Sequence, residues 1–168
     1  NYSEWLTHSE MKRVPHSYLL DFSKKPKWSY VMGIEMEGML DTYEAYKEGN
    51  ESILEYLKEY PKTMIDEKGN ITGYKYEDFN LDNVRTAKFI LRMHNIAPTK
   101  GTEKALKTLF KQLVNQPRTK EGVYWHKAIY ANQVWLDGIF MGLPFYCNYA
   151  VQTMKPKKAE KYLNDAVD

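Results

Sequence analysis

Tyr124-Trp125-His126-Lys127-Ala128-Ile129-Tyr130-Ala131-Asn132-Gln133-Val134-Trp135-Leu136-Asp137-Gly138-Ile139-Phe140-Met141-Gly142-Leu143-Pro144-Phe145 changes character at its midpoint. The first half is polar and aromatic without a helical period. From Trp135 onward the apolar residues fall at helical spacing, with Trp135, Ile139 and Leu143 on one face. Asp137 lies off that face in the first turn, where backbone N–H groups lack partners inside the helix. Two readings of Asp137 follow. It is either an exposed acid interacting favourably with the helix dipole, or a polar group set into an apolar pocket ringed by tryptophans.

Working outward, the chain reads as helices separated by loops of two kinds. A short helix is expected over residues 3–13, ending where Val14 precedes Pro15, because the residue before proline disfavours the helical region. A helix from Trp28 to about residue 47 carries Tyr30, Ile34, Met36 and Leu40 as core candidates, and Gly49-Asn50 stops it. Gly33 and Gly38 weaken that helix, which implies close helix contact or room for a ligand. The next helix spans 52–64, with Pro61 expected to bend or end it. Residues 66–80 form a long loop in which 69–74 have the character of a small hairpin. Helices at 82–95 and 102–114 follow, then a loop over 115–133, the central helix to about residue 153 with a kink expected at Pro144, and a last helix over 157–167.

The helix starts at Trp28, Asp82 and Trp135 are 54 and 53 residues apart, a period of structural units rather than of identical sequence. Long loops precede these three helices and short ones follow them. That alternation describes helical hairpins laid side by side, an all-α fold with the three helices parallel and their N-termini on one rim. Functional residues are expected there, since loops on a rigid scaffold are where chemistry is usually placed.

Composition narrows the function. The 168 residues suffice for one domain with a real core. Lysines and arginines number 24 against 22 acids, interspersed, so no footprint for nucleic acid stands out. Cys147 is the single cysteine, which excludes an intrachain disulfide and a multi-cysteine metal site. No apolar run approaches the roughly 18 residues of a membrane span, and no signal segment is readable. The 14 tyrosines and four tryptophans suit aromatic helix packing, and equally suit flat faces for sugar rings.

The run from Gly122-Val-Tyr-Trp-His-Lys to Trp135-Leu-Asp-Gly-Ile-Phe-Met-Gly-Leu-Pro-Phe resembles the signature of unsaturated rhamnogalacturonyl hydrolases, glycoside hydrolase family 105. Ser9-Glu-Met-Lys-Arg, Trp28-Ser-Tyr-Val-Met-Gly and the Asn80-Leu-Asp-Asn segment agree with it, in the family's order. The resemblance implies an (α/α)6 barrel, with residues 1–168 as the N-terminal half of the domain. It implies a glycosidase that hydrates the double bond of an unsaturated uronyl residue at the non-reducing end of pectin fragments. Related activities also remain open: a glucuronyl hydrolase of family 88 acting on glycosaminoglycan fragments, or a non-catalytic sugar-binding helical scaffold. By resemblance Asp137 is the general acid/base. Asp82, His126, Lys127, Gln133, Trp135, Met141, Trp28 and Arg13 are the implied substrate contacts. No cofactor and no metal are expected, since His8, His16 and His94 form no ligand spacing with a carboxylate pair. The expected partners are the unsaturated oligosaccharide and the C-terminal half of the same domain. The compartment stays open between the cytoplasm and periplasm of a bacterium.

Overall fold

A computed structural model describes residues Asn1–Asp168. The fold is all-helical: α1 (Tyr2–Arg13), α2 (Tyr30–Ala45), α3 (Glu51–Met64), α4 (Asp82–Ile96), α5 (Lys100–Val114), α6 (Leu136–Thr153) and α7 (Pro156–Val167). Single 3-10 turns sit at Ser17–Leu19 and Tyr76–Asp78. No helix is long and apolar enough to cross a membrane.

Contacts between α2 and α4 climb both helices together. The Trp28 indole donates to the Asn83 carbonyl at 2.8 Å, Thr86 Oγ1 donates to Ser29 O at 2.7 Å, and Arg92 pairs with Glu44 at 2.7 Å. The two helices therefore run parallel. The same holds for α4 and α6, from Gly138 against Leu81 to Asn95 bonded to Gln152 at 2.8 Å. Helices α3, α5 and α7 return antiparallel as a second layer, reached through short connections at 46–50, 97–99 and 154–155. Long segments precede α2, α4 and α6, so all of them lie on the rim formed by those N-termini.

One apolar core fills the space between the layers, with Tyr60, Phe89 and Phe145 among its largest side chains. Helix α2 approaches α4 so closely that a Cβ on Gly33 would lie 2.7 Å from Thr86 Cα, whereas one on Gly38 would meet nothing within 4 Å. The two glycines thus answer the two expectations separately, one for contact and one for open space. Between them, Glu37 is buried with Arg85, Lys88 and Arg92 gathered around its carboxylate.

Two local expectations need correction, the starts of two helices and the hairpin at 69–74. Trp28 and Trp135 stand outside their helices; Ser29 caps α2 with its hydroxyl, and Trp135 is itself the residue before α6. Pro61 lies inside α3, which runs to Met64 as expected. Pro144 lies inside α6, which runs to Thr153 as expected. Residues 69–74 make no hairpin, since one bridge, Ile65 to Ile71, is all that pairs there. Asp66 accepts from the N–H groups of Lys68 and Asn70 at 2.9 and 2.8 Å, and that turn takes the place of a second strand.

Candidate active site at the helix rim

Two rim loops meet at the start of α4. In the first, Phe79 takes a left-handed conformation with φ 41°, turning the chain so that the Asn80 side chain accepts from Asp82 N–H at 3.0 Å. Asp82 thereby opens α4 with its carboxylate on the rim. The second loop is stitched to the first by main-chain bonds, Leu81 N–H to His126 O and Ala128 N–H to Asp78 O, each 3.0 Å. Arg118 anchors its far side, pairing with Asp165 of α7 at 2.6 Å and lying over the Tyr124 ring.

This stitching sets His126 beside Asp82. His126 is 1% exposed, and its Nε2 lies 3.0 Å from Asp82 Oδ1. The carboxylate stands off the ring N–H axis, so neither ring nitrogen makes an aligned hydrogen bond. Lys127 Nζ lies 2.8 Å from the other oxygen, Asp82 Oδ2. Trp135 stacks on the imidazole with centroids 4.3 Å apart and planes 9° apart, and Tyr130 stacks on Trp135 at 5.5 Å. Lys127 lies over both of these rings, at 5.8 and 5.9 Å.

Asp137 completes the group from the first turn of α6. One ligand-type atom each from Asp82, His126 and Asp137 falls within 4.8 Å of the others. Gly138 permits this approach, because a Cβ there would sit 3.4 Å from His126 Nδ1 and 3.2 Å from Leu81 Cδ1. Asp137 itself is exposed. It stands at the open mouth, and the enclosing tryptophan ring of the second reading is not formed around it by these residues. Two carboxylates and an imidazole at this separation could hold a divalent cation. The Lys127 ammonium, however, already gives Asp82 a cationic partner. What remains is an acid/base set: one open carboxylate beside a carboxylate fixed by His126 and Lys127.

The other expected site residues divide. Gln133 belongs to the group, since its carbonyl accepts from His126 N–H at 3.0 Å and its side chain accepts from the Trp135 indole at 3.3 Å. Trp28 is 5% exposed and stacks on Tyr60, so it supports α4 from the core rather than facing the mouth. Met141 is likewise buried in the core. Arg13 lies apart, paired with Glu10 and lying 4.2 Å from the Phe22 ring centroid, and it shares no partner with Asp82. Tyr130 was not singled out from the sequence; an aromatic three residues after Lys127, in a loop already rich in rings, was the available signal.

A cleft of about 810 Å³ lies elsewhere, at the far end of α4 between Lys58, Lys62, Lys68 and the start of α5. The Asp66 carboxylate there is committed to its own turn, and Thr99 and Thr102 cap α5 mutually. The cluster of two carboxylates and an imidazole lies at the rim instead.

A solved structure of a family 105 glycoside hydrolase from C. acetobutylicum ATCC 824 superimposes with a TM-score of 0.83 at 33% identity. The match covers 98% of this chain and 42% of that one, so the chain spans less than half the length of this relative. The shared architecture is the helical toroid, of which these seven helices are about the first half. The family described as Glycosyl Hydrolase Family 88 matches residues 2–168. With family and fold in agreement from end to end, the chain belongs to Glycosyl Hydrolase Family 88.

Proposed function

We propose that this chain carries the catalytic rim of a glycosidase that removes an unsaturated uronyl residue from the non-reducing end of lyase-generated oligosaccharides. The observation that carries the reading is the convergence of Asp137, Asp82 and His126 within 4.8 Å at the mouth formed by the N-termini of α4 and α6. An unsaturated uronide is an enol ether, and hydrating it takes a proton for one alkene carbon and water for the next. Asp137 gives its proton to the ring carbon that is not bonded to the ring oxygen. Its carboxylate then accepts a proton from the water that adds to the neighbouring carbon. The hemiketal so formed opens, and the aglycone departs with one water consumed in total.

Asp82, held by His126 and Lys127, accepts hydrogen bonds from sugar hydroxyls and fixes the ring against Asp137. Gln133, Trp135 and Tyr130 supply a polar edge and an aromatic wall. His126, buried behind Trp135, orients Asp82 rather than touching the sugar.

The proposed aglycone is rhamnose, as in pectin-derived rhamnogalacturonan fragments. A second reading is favoured by the family that matches the chain: turnover of glycosaminoglycan-derived unsaturated disaccharides. Both substrates lose their conjugated ultraviolet absorbance on hydration, so side-by-side turnover decides between them. The proposed partner for the open edges is a further set of helices completing the toroid. Apolar side chains left exposed there, Trp5 and Leu6 on α1 and Ile139 and Val151 on α6, support it. Loss of absorbance with neither substrate, in the folded protein with its toroid completed, refutes the enzymatic reading and leaves a sugar-binding scaffold.

A further inference from the structure

Two glutamines that take no part in the chemistry sit directly behind the rim. Gln112 lies in the last turn of α5 and Gln116 two residues past its end, and both are buried. A buried primary amide is costly unless each donor finds an acceptor. Here the bonding is complete on the donor side. Gln112 Nε2 donates to Asn80 O at 3.3 Å and to Gln116 Oε1 at 3.1 Å, while Tyr74 OH donates to Gln112 Oε1 at 2.8 Å. Gln116 Nε2 spends both hydrogens on carbonyls, Phe79 O at 2.6 Å and Trp125 O at 2.9 Å. Carbonyls only accept, so the orientation of the Gln116 amide is fixed.

Those two carbonyls belong to different loops. Phe79 is the left-handed residue that turns the chain into Asp82, and Trp125 immediately precedes His126. One amide nitrogen thus clamps the segment that aims Asp82 to the segment that aims His126 and Lys127. We propose that Gln116 is a positioning residue for the rim, holding the two loops in register from behind without touching the substrate. This rests on the acid/base reading of Asp82 and Asp137. Replacing Gln116 by Leu leaves the carbonyls of half-buried Phe79 and Trp125 without this partner and frees the loops to slide. A misplacement of ~1 Å at a catalytic group is enough to cost on the order of a hundredfold in rate.

The test compares Gln116→Leu and the shorter Gln116→Asn with Asn50→Leu, which removes a buried amide bonded to Glu4, His8 and Tyr46 at the other end of α2. Turnover of an unsaturated disaccharide is followed by absorbance. The proton spectrum of the His126 ring, shifted by its stack on Trp135, reports the rim directly. The expected result is a fall of about ten- to a hundredfold in kcat for Gln116→Leu, a smaller fall for Gln116→Asn, and displaced His126 signals in both. Asn50→Leu lowers the melting temperature but leaves those signals in place. If Gln116→Leu does not fold, Gln116→Asn carries the test alone. Unmoved His126 signals in a folded Gln116 variant, or equal displacement by Asn50→Leu, overturn the proposal. An unmodified protein inactive on every unsaturated uronide defeats the enzymatic reading instead, and the ring signals still decide the role of Gln116.

Discussion

Gly33 and Gly38 share α2, yet substituting alanine should move stability in opposite directions. At Gly33 the new methyl would lie 2.7 Å from both Cα and Oγ1 of Thr86. Carbon atoms prefer about 3.5–4.0 Å, so α2 would have to retreat from α4 by roughly 1 Å. Thr86 cannot swing aside cheaply, because the nearest atom is backbone and its hydroxyl is bonded to Ser29 O. Overpacking of this kind costs about 1–3 kcal/mol. Removing a glycine from a helix interior returns up to about 1 kcal/mol, for a net loss of about 1–2 kcal/mol. In a domain of this size that lowers the melting temperature by roughly 3–6 °C. At Gly38 nothing lies within 4 Å of the new Cβ. The propensity gain of about 0.5–1 kcal/mol is therefore realised, and melting should rise by roughly 2–4 °C. Thermal unfolding followed by far-ultraviolet circular dichroism reads both variants. Equal stability of Gly33→Ala and the unmodified protein, or shifts of the same sign in both variants, would refute the packing of α2 on α4 described above.

Asp137→Asn should lower turnover by about a hundred- to ten-thousand-fold with the fold retained, since asparagine can neither give nor take the proton. A folded variant that clears the ultraviolet absorbance at the unmodified rate rules Asp137 out. Solvent deuterium should enter the protonated ring carbon before the sugars separate; cleavage with that carbon unlabelled refutes hydration. Glu35 gives a pH signature. Burial, and next the adjacent Glu10 carboxylate, push its carboxyl from 4.5 up to about 7. Between those values the folded chain keeps a proton that the unfolded chain releases, so stability is full below about 4.5 and falls as pH rises through about 7. Urea midpoints measured across this window should decline in the unmodified protein and flatten in Glu35→Gln; parallel slopes would remove Glu35 as the cause.

Much of this architecture is legible in the sequence because helices announce themselves locally. The apolar spacing of α4, the Gly49-Asn50 stop and the alternation of long and short connections depend on neighbours within a few residues, and the rim follows from them. The exceptions depend on contacts distant in sequence. His126 reads as a loop residue and is in fact covered by Trp135 and α6. Gln112 and Gln116 carry no signal of their role in the sequence; only the fold brings the Phe79 and Trp125 carbonyls against them. Arg13 sits near the same rim in sequence terms, but its Glu10 partner is one turn back on α1 and holds it there. Resemblance could nominate Arg13, whereas its pairing is set by its own helix.

The parallel course of α2, α4 and α6 has a consequence in the field around the molecule. Each helix presents about half a positive elementary charge at its N-terminal end, and these three ends meet at one mouth, with Lys127 among them. The antiparallel α3, α5 and α7 bring their negative ends to the same side, one layer further out. Against the Asp82 and Asp137 carboxylates at the same mouth, the three helix ends and Lys127 leave only a weakly attracting centre inside a weakly repelling collar. Such a gradient guides a charged ligand toward the axis and does nothing for a neutral one. It reaches about 10 Å at 0.1 M salt and shortens as salt is added, so the association rate of an anionic sugar should fall with ionic strength while that of its methyl ester stays constant.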